Sequence, residues 1–111
     1  MKLKRSDCII LPLVLKKKWF EMIKSGVKKE EYRTSKNVCR MIERWWGEFE
    51  MSSSKFPVVT FYLGYQKNRP SMSYSPDRVR YLDECYHPEW GETEGKHCVI
   101  ELGEQVTFVE G

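Results

Sequence analysis

The chain reads as an α+β domain whose strands wrap into a small barrel, and three observations carry that expectation. Helical spacing of apolar residues is confined to the first half. Period-two alternation fills the second half. At 111 residues the chain has room for one hydrophobic core, so both halves must share it. The expectation is a single domain over 1–111, with its core in residues 8–109.

An extended apolar segment, Cys8-Ile-Ile-Leu-Pro-Leu-Val-Leu15, comes first. From Lys17 to Ser25 the spacing predicts a helix, because Trp19, Phe20 and Ile23 share one face and Gly26 stands where a helix stops. Residues 27–33 read as a short strand. A second helix is expected from Lys36 to Trp46, with Ser35 as N-cap, an apolar stripe of Val38, Met41, Ile42 and Trp45, and Gly47 as its end. Its opposite face carries Lys36, Arg40 and Arg44 in a row. Alternation then marks strands at Val58–Leu63, at Met72–Tyr86 with a break at Pro76, at Cys98–Leu102, and at Gln105–Val109 after Gly103. Loops are expected over 50–56, 66–76 and 87–96.

Composition excludes several classes. With 41% hydrophobic and 32% charged residues, the chain is neither disordered, collagenous nor a coiled coil. No apolar run approaches the ~18 residues of a membrane helix. The basic start, Met1 to Asp7, leads into an apolar stretch too short for a secretory signal, so a cytoplasmic protein with no membrane partner is expected. Net charge is +3 but polarised: residues 1–50 hold 13 Lys/Arg against 7 Asp/Glu, and residues 51–111 hold 6 against 9. Such asymmetry favours an anionic partner. Cys8, Cys39, Cys85 and Cys98 show no C-x-x-C spacing and read as reduced, buried thiols. Cys85, His87, His97 and Cys98 form a ligand set zinc would accept, but neighbours on a strand point apart, so no metal is expected there. No cofactor is expected.

The segment Gly26-Val-Lys28-Lys-Glu-Glu31-Tyr-Arg33 carries the chemistry. Glycine lets the helix stop and the chain turn. On a following strand Glu31 and Arg33 face one way, with Lys29 in the same row, while Lys28 in the turn could swing toward them. A carboxylate and two cations converging at a helix end could hold a phosphate, a carboxamide or a base edge. From spacing alone, a surface strand with an ordinary ion pair, Glu31 with Arg33 or Lys28, is the better reading.

With its surroundings, this segment resembles the ASCH family of PUA-like domains. The pattern G-x-K-x-x-E-x-R follows a helix opened by Lys17-Lys-Trp19-Phe, as in that family, and the likeness extends through Thr60-Phe-Tyr-Leu-Gly64-Tyr65-Gln-Lys67-Asn68, Pro88-Glu89-Trp90-Gly91 and Val99–Gly103. The resemblance implies a PUA-like β-barrel of about five to six strands with two to three helices, the first packed beside the barrel. It implies a cleft lined by Gly26, Lys28, Glu31 and Arg33 that takes RNA, a nucleotide or a modified nucleoside. One small bacterial branch hydrolyses N4-acetylcytidine with the motif lysine, a threonine and a distant glutamate. Glu31 replaces that threonine here, so a hydroxyl nucleophile is absent at this position.

Three functions follow as expectations. The first is an RNA- or nucleotide-binding module in which Lys17, Lys28 and Arg33 meet phosphate, with the Lys36, Arg40 and Arg44 row as a further candidate contact. A base would stack on Trp19, Tyr32, Tyr65 or Trp90, with Lys67 and Asn68 adding polar contacts; stacking contributes ~1–3 kcal/mol per base. Trp19 and Trp45 lie on apolar stripes and read as core, which leaves Trp90 and Tyr65 as the better stacking residues. The second is a small hydrolase acting on a modified nucleoside, with Glu31 moving protons and Lys28 stabilising an oxyanion; Glu89 and Glu101 are candidate second carboxylates. The third is a protein-interaction module.

Overall fold

The computed structural model describes residues 1–52, 54–82, 87–91 and 97–110. Six strands form one curled mixed sheet, a half-barrel, with two helices packed on it. The strands are β1 (Lys2–Lys4), β2 (Cys8–Leu15), β3 (Glu30–Arg33), β4 (Phe56–Leu63), β5 (Ser71–Leu82) and β6 (His97–Val109). The helices are α1 (Lys17–Lys24) and α2 (Lys36–Ser52). Strand order is β1-β6-β5-β4-β2, and β3 adds to β6 on the side away from β5. The parallel pair β2/β4, in register from Cys8↔Phe56 to Leu15↔Leu63, is bridged by the connection that holds α1, β3 and α2. Hence the helices cross the inner face of the sheet, and β3 returns near the end of β2.

Alternation sorts the side chains. Leu11, Leu13 and Leu15 of β2, Val59 and Phe61 of β4, and Ile100 of β6 point inward against Phe20 and Ile23 of α1 and Ile42 and Trp45 of α2. Burying each such side chain contributes ~1.5–3 kcal/mol. The opposite face has its own small core, where Cys8, Val58 and Val106 meet Leu3, Ile10 and Phe108. Strand β4 is therefore buried on both faces. The indole Nε1 of Trp45 donates to the Ile9 carbonyl at 2.8 Å, so α2 covers part of the outer edge of β2.

Several expected boundaries move. Gly47 does not end α2, which runs on to Ser52. The rings of Trp46 and Phe49, on either side of the glycine, sit 5.1 Å apart, and this packing offsets the ~1 kcal/mol a helical glycine costs. Met41, assigned to the apolar stripe, is 44% exposed. The expected break at Gly103 is also absent, for β6 is continuous from His97 to Val109. Gly103 instead permits a close approach: a Cβ there would lie 2.5 Å from Asp77 Oδ1 and 2.8 Å from the Ser75 carbonyl. Strand β5 begins at Ser71, inside the stretch expected as loop, and Pro76 makes a register shift rather than a break. Strand β3 is shorter than expected, since residues 27–29 form a turn in which the Lys28 amide donates to the Met22 carbonyl. Residues 83–86 of the expected strand lie outside the described residues.

Candidate binding pocket

Helix α1 ends as its sequence dictates. The Ser25 amide donates to the Glu21 carbonyl, the Gly26 amide to that of Ile23, and Gly26 adopts φ +84°, which a glycine takes without strain. The reversal places Lys28 beneath α1 and sends β3 along β6, with Glu31 paired to Ile100 and Arg33 to Cys98. Lys28 is 2% exposed and Glu31 3%.

The motif residues form one chain of charges. Lys28 Nζ donates to Glu31 Oε1 at 2.8 Å and to the carbonyl of Trp90. The second carboxylate oxygen of Glu31 accepts from Arg33 Nε at 3.1 Å and Nη2 at 2.9 Å. Arg33 Nη2 also donates to the Val14 carbonyl at 2.9 Å, so the guanidinium ties β3 to β2 across the open side of the half-barrel. Glu31 is thus the shared counter-ion of two cations, and Lys29 is exposed outside this row. Lys28 Nζ lies 4.5 Å from the centre of the Trp19 ring and 5.9 Å from that of Tyr32, positions in which the ring quadrupoles attract the ammonium.

Above these groups is a pocket of about 220 Å³, lined by Val14, Leu15, Lys16, Trp19, Lys28, Glu31, Tyr32, Arg33, Trp90 and Gly91. The turn 87–91 forms one wall. The His87 ring stacks on that of Trp90 with centroids 3.9 Å apart, and His87 Nδ1 lies 3.1 Å from Glu89 Oε1. Hydrogen bonds from its own backbone and from His87 hold the Glu89 carboxyl below its usual range. Behind the wall Glu30 accepts from Tyr32 Oη at 3.3 Å and pairs with Arg80. Glu101, a candidate second carboxylate, is engaged by Arg78 and Arg80 on the far side of β3.

The expected site residues divide into two groups. Lys28, Glu31, Arg33 and Trp90 converge on the pocket; Trp19, expected in the core, is a half-buried wall of it. Gly26 lines a separate groove of about 590 Å³ between the end of α1 and the β5/β6 bulge. Lys17 is exposed at the start of α1, and its neighbour Lys16 reaches the pocket in its place. Tyr65, Lys67 and Asn68 lie in the β4–β5 connection and are not among the pocket walls; Tyr65 is 85% exposed. Arg69 there bonds the Gly64 carbonyl and covers the Tyr62 ring. The row Lys36, Arg40, Arg44 is exposed on α2. The contributions of Val14 and Gly91 were not foreseen, because a backbone carbonyl and a small wall residue carry no motif.

Of the expected non-ligating metal set, Cys85 lies outside the described residues, while Cys98 packs in the core and His97 sits edge-on to Tyr32 at 5.7 Å. Among the described residues no group of three His, Cys, Asp or Glu is placed to hold a metal. No helix of the described residues is long and apolar enough to cross a membrane. Comparison with known proteins returns no match, whether to a family model, a curated protein or a solved structure.

Proposed function

We propose that this pocket seats one base of an RNA or nucleotide, with the sugar-phosphate chain passing over the basic start of α1. The observation that carries the reading is the bonding of Arg33. Its Nε and Nη2 are committed to Glu31 and Val14, and Nη1 has no acceptor among the described residues although Arg33 lines the pocket. The carbonyls around it are already engaged: Val14 by Arg33, Trp90 by Lys28 and Leu15 by the Gly64 amide. The pocket therefore offers donors and aromatic faces, which suits a planar ligand presenting carbonyl or phosphate oxygens. Its volume of about 220 Å³ is below the ~300–1,000 Å³ of sites for drug-sized molecules, and matches a small heterocycle. Lys16, Lys17 and Lys18, all exposed, supply charge for flanking phosphates.

The proposal includes membership of the ASCH family, supported by the Gly26-x-Lys28-x-x-Glu31-x-Arg33 pattern at a helix end. Hydrolysis of a modified nucleoside is the second reading. It draws on the buried Lys28 ammonium, which could stabilise an oxyanion. Both oxygens of Glu31 are engaged by cations, an arrangement that favours binding over proton transfer.

Anisotropy of labelled short single-stranded and hairpin RNAs tests the proposal, at low and at physiological salt. Micromolar binding that weakens with salt and is lost in Arg33→Ala is expected. Absence of binding by the wild type at low salt would overturn it. Turnover of an acylated cytidine that Lys28→Ala abolishes would establish the second reading instead.

A further inference from the structure

Beside the pocket stands a loop that the seated base does not use. Strands β2 and β4 are parallel, so both deliver the chain to the same edge of the sheet. Strand β2 ends at Leu15 and opens into Lys16 and α1, the rim of the pocket; β4 ends at Leu63 and opens into the loop 64–70. Leu15 and Leu63 are register partners on strands ~4.8 Å apart, which sets the loop against the rim. A hydrogen bond from the Gly64 amide to the Leu15 carbonyl, at 3.2 Å, joins the two directly.

The loop is braced from within. The Leu63 amide donates to the Pro70 carbonyl at 3.0 Å and closes it. Arg69 Nη1 donates to the Gly64 carbonyl at 2.8 Å, and its guanidinium lies 4.2 Å from the centre of the Tyr62 ring. Gly64 and Asn68 take φ of +69° and +59°, the left-handed region that glycine and asparagine enter most readily. None of these contacts uses the Tyr65 side chain, which is 85% exposed. An aromatic ring is thus displayed on a held backbone, with Lys67 exposed two residues on and Lys16 exposed at the rim. A platform already in place has little ordering cost left when a ligand stacks on it.

We propose that Tyr65 is a stacking platform for the nucleotide next to the one seated in the pocket, so that the ligand is a single-stranded RNA chain rather than a free nucleotide. This second subsite rests on the reading of the pocket as a base site, and extends it by one nucleotide. Lys16 lines the pocket on the side of the loop and meets the phosphate that links the two nucleotides; Lys67 meets the phosphate beyond. Every base has a π-face, so Tyr65 adds affinity with little preference among bases. Selection stays with the directed donors of the pocket, and the loop favours a chain over a monomer.

The test is calorimetric titration of the wild type, Tyr65→Ala and Tyr65→Phe with uridine monophosphate and with the uridine trinucleotide UpUpU, at one salt concentration. Tyr65 is exposed, so neither substitution disturbs the core. The monophosphate is expected to bind all three proteins alike. The trinucleotide is expected to bind the wild type ~5- to 150-fold more tightly than Tyr65→Ala, the worth of one stacked base, while Tyr65→Phe keeps the wild-type affinity. Trinucleotide affinity in Tyr65→Ala indistinguishable from the wild type, with the monophosphate still bound, would overturn the second subsite and leave the pocket standing. An equal loss for both ligands would also overturn it, by placing Tyr65 at the first base. Failure of the wild type to bind either ligand would instead bring down the base-binding reading, and this subsite with it.

Discussion

Replacing Glu31 by glutamine tests the charge arrangement beneath the pocket. The Lys28 and Glu31 side chains are 2% and 4% exposed and meet at 2.8 Å, where an effective dielectric of ~20 gives an attraction of about 6 kcal/mol before desolvation is set against it. In Glu31→Gln the shape is kept and the charge is lost. Two cations, Lys28 and Arg33, then face an amide whose NH2 must point at one of them. Removing one partner of a buried pair costs ~3–5 kcal/mol, chiefly because the other charge stays buried and uncompensated. Lys28→Met is milder, since Glu31 keeps two hydrogen bonds from Arg33 and the methionine fills the lysine stem beneath Trp19. What that variant loses is the Nζ donor to Glu31 Oε1 and to the Trp90 carbonyl, about 1–3 kcal/mol, while the Glu31 charge keeps Arg33 as its counter-ion. Urea and thermal unfolding followed by circular dichroism read both. A domain of this size loses ~4–8 °C per kcal/mol, so Glu31→Gln is expected to lower Tm by more than ~10 °C and Lys28→Met by less than that. The reasoning is refuted if Lys28→Met is as costly as Glu31→Gln, or if Glu31→Gln unfolds within ~1 kcal/mol of the wild type.

Two further outcomes follow from the fold. Gly103→Ala drives a Cβ against the Ser75 carbonyl and Asp77 Oδ1, and is expected to cost ~1–3 kcal/mol. Adding Asp77→Ala should recover only part of that loss, because the Ser75 oxygen is backbone; denaturant midpoints of the single and double variants check this. Stability should also decline at high pH. Burial raises Cys98 from 9.0 to about 12 and raises Tyr74 above 10.0, so between those values the unfolded chain binds fewer protons than the folded one. Their contribution is fully present below pH 9 and is lost as pH rises toward 12, which urea unfolding under reducing conditions at stepped pH would follow; a stability that rises across that window would contradict it.

How much of this was legible in the residues depends on how local each determinant is. Helix α1 could be read because one apolar face, Trp19, Phe20 and Ile23, is followed at once by Gly26, and both signals act within one turn. The extent of α2 could not. Gly47 carries the local signal of a helix end, and packing of Trp46 and Phe49 overrides it. Gly103 misled in the same way, since its reason is the nearness of Asp77 and Ser75 on β5, nearly thirty residues away in sequence. Strand β1 has three residues and exists only because its register with Thr107–Val109 pairs it to the far end of the chain. In the pocket, the Lys28–Glu31–Arg33 convergence was visible from residue spacing across a helix end. The Val14 carbonyl that fixes Arg33, and the turn of Trp90 over Lys28, are long-range backbone contacts with no residue type to announce them. Trp19 was read as core because α1 is amphipathic, and it sits where that apolar face meets the pocket.

The most direct test of the binding account is nuclear magnetic resonance of ¹⁵N-labelled protein during titration with uridine monophosphate. The four tryptophans give four separate indole signals. Trp19 and Trp90 line the pocket, whereas the Trp45 indole is bonded to the Ile9 carbonyl within the core. The account predicts saturable shifts of the Trp19 and Trp90 indoles and of the Arg33 Nε–H, with Trp45 unmoved. Stationary Trp19 and Trp90 signals at millimolar nucleotide, or shifts confined to the exposed α2 row, would contradict it.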